Sequence, residues 1–289
     1  MESTQTKPRV NPLTSLMRQP KLYIKLPSDG RFWPEGSLNV SLNGDYPVYS
    51  MTAKDELLLK TPDALMNGQA VVDVIQNCMP NINDAWQVPG IDLDVILVAI
   101  RLATYGEKME MTIDVGMETD FSYSLDLQAL LDQLIHSVTW DGRIEIGQEM
   151  VLHIKPVNYM TVSQSSIQNF EAQKIISIVN SSTLSEEEKV QTFRDSFKKL
   201  TDLTVGVITS SVYKIESTAG TTDDPTDIAE FLDNCDKHIF DAIKQRLDAM
   251  RELNSLKPIV VQATPEMIAN GSKETIEIPL TFDASNFFG

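Results

Sequence analysis

Residues 21–26 alternate polar and apolar side chains and stop at Pro27-Ser28-Asp29-Gly30, the pattern of a half-buried strand ended by a turn. Leu38 to Leu42 alternates again, and Asn43-Gly44 is a strong hairpin signal. With a return strand over 48–51, residues 21–52 read as a small antiparallel sheet. The period then becomes helical. Thr52 stands as an N-cap, with Asp55 and Glu56 in the first turn, where acids suit the helix dipole. Thr61-Pro62 opens a short helix over 62–66, closed by Gly68. Residues 69–79 place Val71, Val72, Ile75, Cys78 and Met79 on one side and stop at Pro80. Residues 92–105 are apolar almost all round between Asp92 and Gly106, which marks a buried helix at the centre of the first domain.

Beyond it, Met109, Met111, Ile113, Val115 and then Phe121, Tyr123, Leu125 alternate on either side of 116–120, a second hairpin. A short helix over 128–135 and strands at 144–146 and 150–154 follow. From Thr161 the texture changes. Ile167, Phe170, Ile175, Ile176 and Val179 recur at helical spacing. Ser185 with Glu188 three residues later is a capping box, and its helix runs toward Leu200. Residues 203–215 continue apolar with β-branched character, and 220–224 read as a loop. Pro225 opens one helix reaching Leu253, about 40 Å long at 1.5 Å per residue. Ile228, Phe231, Leu232, Cys235, Ile239, Ile243, Leu247, Met250 and Leu253 form its apolar stripe. Such a stripe is either core or a partner seam. A last hairpin spans 259–261 and 275–280 around Asn270-Gly271.

The fold class this predicts is α+β: small antiparallel hairpins around a buried helix, a mainly helical C-terminal part and a terminal β-hairpin. The expected divisions are an extended arm over 1–20, an α+β domain over 21–156 and a mainly helical domain over 157–256. The last hairpin and apolar tail, 257–289, are expected to pack back on the first domain.

Charge changes the picture in one respect. The 289 residues carry a net charge of −17, unevenly placed. Residues 61–150 hold fifteen acids and three bases, a net −12, while residues 1–30 carry a net +3. The acidic stretch is either a solvated face or a docking surface for a basic partner. The basic segment, with Pro8, Pro12 and Pro20, reads as an extended arm carrying Arg9 and Arg18. The charge disfavours a nucleic-acid binder. The longest apolar run, 95–100, is too short to span a bilayer, and the N-terminus lacks a secretory apolar region. The two cysteines, Cys78 and Cys235, read as reduced thiols, and the expected setting is a cytoplasm.

The catalytic inventory is empty. There is no glycine-rich phosphate loop and no nucleophile elbow. Asp92-x-Asp94 has the form of a metal pair, but its place at a helix start makes an acidic cap the simpler reading. Cys235 and His238 lie one turn apart without a second Cys/His pair to complete a metal site. His136 and His153 lack an obvious base partner. No catalytic residue, metal site or cofactor is expected.

Several stretches in order resemble the hub and hub-assembly baseplate proteins of T4-like contractile-tailed bacteriophages. They are Leu26-Pro27-Ser28 with Gly30 and Phe32, and Met51-Thr52-x-x-Asp55-Glu56 before Leu59-x-Thr61-Pro62. Then come Gly68 with the helix to Cys78, and Asp92 followed by Ile96-Leu97, Arg101 and Thr104-Tyr105-Gly106. Asp126-Leu127, Lys155-Pro156 and the closing Phe282-Asp283-x-Ser285-Asn286-Phe287-Phe288-Gly289 complete the set. The resemblance is weakest over 160–255. Relatives often carry C-x-x-C pairs like a zinc ribbon; here Asp114 and Met117 stand near the first pair, and the last hairpin has no cysteine.

The resemblance implies a non-enzymatic structural or assembly protein of the tail baseplate, acting through contacts with other baseplate or tail proteins. A transient assembly chaperone is the alternative within that class. A hydrolase with a non-local site is the alternative outside it. The implied contact residues are Phe282, Phe287, Phe288, Arg9 and Arg18. Neither nucleic acid nor membrane is an expected partner, and self-association within the baseplate is left open. The implied location is the host cytoplasm during assembly and the virion baseplate if the protein is retained.

Overall fold

The computed structural model describes residue 13 and residues 17–61, 68–113, 121–137, 139–181, 185–263, 268, 274–278 and 280. These residues form an α+β fold of small antiparallel sheets and eight helices, built on two apolar cores.

The first core surrounds one helix. β1 (Leu22–Ile24) pairs antiparallel with β2 (Tyr46–Val48), Leu22 opposite Val48. α1 (Ala53–Leu59) starts at Thr52, whose hydroxyl accepts from the Asp55 amide while the Asp55 carboxylate accepts from the Thr52 amide at 2.7 Å. This reciprocal cap satisfies donors that a helix start leaves open. α2 (Gln69–Cys78) and α3 (Gly90–Tyr105) follow. On α3, Val95, Ile96, Val98, Ala99 and Ile100 are all fully buried. Burying each of the larger side chains contributes roughly 2 kcal/mol.

β3 (Lys108–Ile113) and β4 (Phe121–Asp126) then pair in antiparallel register. Met109, Met111, Tyr123 and Leu125 turn toward the core, leaving Glu110 and Asp126 in solvent. α4 (Leu127–Ser137) closes the layer with Leu127, Leu130, Leu131 and Leu134.

The second core lies under a four-stranded antiparallel sheet in the order β5 (Arg143–Ile146), β6 (Met150–Ile154), β7 (Val212–Ser217), β8 (Gly220–Thr222). Between the adjacent strands β6 and β7 the chain makes a helical hairpin, α5 (Tyr159–Ser181) packed on α6 (Glu186–Ser211). α7 (Pro225–Asn234) packs on β7, and α8 (Lys237–Asn254) on β5. The chain ends in the antiparallel pair β9 (Ile259–Gln262) and β10 (Thr275–Ile278). Leu280 is buried in the first core and Ile259 packs against that core, so the chain returns to the first unit after completing the second.

Five readings of the pattern change. Residues 38–42 are not a strand. Leu38 bridges Ile82, the Asn39 amide donates to Asn81 O, and the Asn81 side chain donates back to Asn39 O. The 81–83 loop thus takes the backbone bonds that a hairpin partner was expected to take, and β2 pairs with β1 instead. The β-branched stretch after 203 stays helical to Ser211, because burial of Ile208 outweighs propensity. Residues 220–222 are the edge strand β8, not a loop.

The long helix is two. Cys235 and Asp236 are extended, with ψ 161° and 145°, so that α7 and α8 reach different strands of one sheet. A straight 40 Å rod would overrun it, and Leu253, at the end of the expected stripe, is exposed. Lastly, the 143–154 strands belong to the second core rather than to the unit around α3. The short helix expected at 62–66, the turn at 116–120 and the Asn270-Gly271 turn lie outside the described residues.

Candidate interaction surfaces

Asp92 does not cap its helix. α3 begins at Gly90 behind Pro89, which makes no side-chain cap bond. The Asp92 carboxylate, fully buried, accepts from the Ser28 amide at 2.8 Å, the Ser28 hydroxyl at 2.5 Å and Trp33 Nε1 at 2.8 Å. Burial pushes its carboxyl up to about 6, against the pull of these hydrogen bonds. Burial also raises Asp94 to about 6. Asp92 therefore ties the 27–33 loop to the central helix. Among the described residues, no group of three or more His, Cys, Asp or Glu could hold a metal.

The remaining candidates separate in the same way. Cys235 follows α7 and donates to Leu232 O at 3.4 Å. His238 belongs to α8 and lies 4.0 Å from Asp236 in solvent, so the helix break parts the pair. His153 lies 3.3 Å from Glu216 on the neighbouring strand, and His136 Nδ1 lies 2.6 Å from Asp132 O. Cys78 is buried, and burial pushes its thiol up to about 12, which keeps it protonated.

Arg18 is engaged within the chain. Its guanidinium donates to Ser50 O and Asn77 O, lies 3.9 Å from the Asp55 carboxylate and sits over the Tyr49 ring. It fixes the point at which the basic segment meets the first core. Arg9, Phe282, Phe287 and Phe288 lie outside the described residues, as do Asp114 and Met117.

The acid of the 61–150 stretch divides between core and surface. Asp92 is buried, whereas Glu107, Glu110, Asp126 and Asp132 face solvent around the β3–β4 hairpin and α4. Among them Glu110 accepts from the Ser124 hydroxyl across the strand pair at 2.6 Å.

The helical hairpin supplies surface of another kind. Phe170 on α5 is 53% exposed, and Val190 and Phe197 on α6 are 56% and 61% exposed. Val190 and Phe197 are seven residues apart and so share one helix face, with Arg194 between them. A groove of about 440 Å³ runs between the two helices, lined by Gln168, Glu171, Ser196, Lys199, Leu200 and Asp202. The sequence pattern counted Phe170 among apolar positions at helical spacing, and its exposure was not legible there. The weak amphipathy of α5, with Thr161, Ser163, Gln164, Ser165 and Ser166 spread round it, was the available signal. No described helix is long and apolar enough to cross a membrane.

No curated protein and no solved structure matches the chain. A family model does: the one for the T4 bacteriophage base plate protein matches residues 17–264, which takes in the second core, the first core apart from Leu280, the helical hairpin and the strand β9. The chain belongs to the T4 bacteriophage base plate protein family.

Proposed function

We propose that this chain is a non-enzymatic building or assembly protein of the tail baseplate, in its hub region, working through contacts with other baseplate or tail proteins. The family match over 17–264 carries the reading. Such work needs surfaces rather than catalytic groups. The helical hairpin offers one, with Phe170, Val190 and Phe197 exposed on the long excursion between β6 and β7. Exposed aromatics of this kind mark contact sites. Arg9 and the terminal Phe282, Phe287 and Phe288 are further proposed contacts, and Arg18 anchors the segment leading to Arg9.

Pull-down of the phage's other tail proteins by the purified chain tests the reading. We expect capture of at least one baseplate component and its loss in a Phe170→Ser/Phe197→Ser double variant; capture of none overturns it. Mass spectrometry of purified virions separates a retained subunit, found at fixed stoichiometry, from an assembly chaperone that is absent from the particle.

A further inference from the structure

Residues 27–33 follow an unusual path. Asp29 at φ 52°, Gly30 at φ 77° and Phe32 at φ 69° all lie in the left-handed region. Glycine enters that region freely, but a bulky aromatic residue is strained there. Such strain persists where the surroundings over-determine it, and it marks a place where position matters.

The surroundings here are specific. Asp92 holds Ser28 on one side of the bend and Trp33 on the other. Within the bend, the Asp29 amide donates to Leu26 O at 2.9 Å and the Arg31 amide to Ser28 O at 3.0 Å. Arg31 Nε donates to the same carbonyl at 3.1 Å, which leaves its guanidinium over the Phe32 ring at 5.6 Å. The bend is therefore anchored on α3, the centre of the first core.

The Phe32 ring points out of that core. It meets Trp140 edge to face, with centroids 6.3 Å apart. Trp140 packs on the second core, and its Nε1 donates to Ile154 O, at the end of β6, at 3.0 Å. Gly142 makes this approach possible, since a Cβ there would lie 1.9 Å from Ile154 O. The Ile154 amide in turn donates to Gly142 O at 2.8 Å. A ring held against Trp140 is thus held against the second sheet.

We infer that residues 27–33 form a clasp between the two cores, in which the buried Asp92 locks the bend and Phe32, in its strained conformation, is seated on Trp140 to fix the orientation of one core against the other. The chain passes between the cores near 139, near 157, through the helical hairpin between Tyr159 and Ile208, and near 256. The crossing at 157 is itself pinned to the first core, where the Gly90 amide donates to Val157 O at 2.8 Å and the Tyr159 amide to Val88 O at 2.9 Å, and the clasp adds a second fixed point. In a protein that works through surfaces, the relative placement of the cores is what a partner reads. The clasp stands on the geometry alone and does not depend on the baseplate reading.

The test is the distance distribution between spin labels at Lys54→Cys on the first unit and Arg251→Cys on the second, in the full chain with Cys235→Ser. Phe32→Gly removes the ring and relieves the backbone. We expect the distribution to widen at least twofold and thermal unfolding to split from one transition into two. Phe32→Tyr keeps the ring and should leave both readouts as in the parent. Asp92→Asn keeps the size of the anchor but loses acceptors, and should widen the distribution as well. An unchanged width in Phe32→Gly overturns the clasp. So does a Phe32→Gly chain that fails to fold, because a ring at the junction would then be a pillar of the core.

Discussion

Helices α3 and α6 answer the same question differently. Both are long and both carry apolar residues, but α3 buries Val95, Ile96, Val98 and Ile100 completely, whereas α6 leaves Val190 and Phe197 in solvent. α3 is enclosed by β1, β2, α2, α4 and part of α5. α6 has α5 along its length, with α7, α8 and β7 against its C-terminal part. Apolar content alone therefore does not say whether a helix is core or surface. The number of neighbouring layers does: the first unit encloses its apolar residues, whereas the hairpin leaves some of its own exposed.

The sharpest way to break this comparison is to truncate equivalent side chains on the two helices. Ile100→Ala should lower the unfolding free energy by about 3 kcal/mol in urea titration, since it leaves a cavity in a closed core. A loss under 1 kcal/mol would mean that α3 is not its centre.

Asp94 gives the next largest effect. Its carboxyl is raised to about 6 in the fold, so the folded chain binds more protons than the unfolded chain between about pH 4 and 6. Stability from this group is present below that window and is lost as pH rises through 6. Asp92 acts in the same sense. Asp94→Asn should therefore gain about 1–2 kcal/mol at pH 7.5 and flatten the fall between pH 5 and 7.5, read from urea midpoints at the two values. No difference between parent and variant at pH 7.5 would show that Asp94 is hydrated in the fold.

Ser185→Ala removes the cap of α6 and should cost about 1 kcal/mol, with faster amide exchange confined to the first turn of that helix. Exchange spreading into β6 would instead make the hairpin and the second core one cooperative unit. The smallest effect is expected at Phe197→Ser, within about 0.5 kcal/mol of the parent in stability. If that change costs as much as Ile100→Ala, the exposed face of α6 is structural and the contrast between the two helices fails.

Much of the fold was legible because local chemistry and tertiary structure agree. Thr52 with Asp55 and Ser185 with Glu188 cap their helices as their spacing requires. The stretch ending at Gly106 is mostly buried because it is apolar almost all round. The β3–β4 hairpin follows from strict alternation, as does the strand β10 with its Thr275-Ile276-Glu277-Ile278 pattern. Family membership was readable from ordered short motifs spread along the chain, and the match over 17–264 agrees with it.

What the sequence could not carry was the choice among equally good local solutions. The stripe from Ile228 to Leu253 fits one straight helix or two redirected ones, and only the tertiary structure, with α7 on β7 and α8 on β5, decided for a break at Cys235 and Asp236. The segment at 38–42 had strand periodicity, but its backbone groups met the 81–83 loop first. Asp92 read as a cap because capping is a one-dimensional signal. Its real partners, Ser28 and Trp33, are some sixty residues away, and only folding brings them within reach. Local pattern fixed the elements and the apolar residues available to them. Which of those residues are enclosed, which face solvent and where the chain bends depended on neighbours distant in sequence, because burial is a property of the assembled layers and not of the chain.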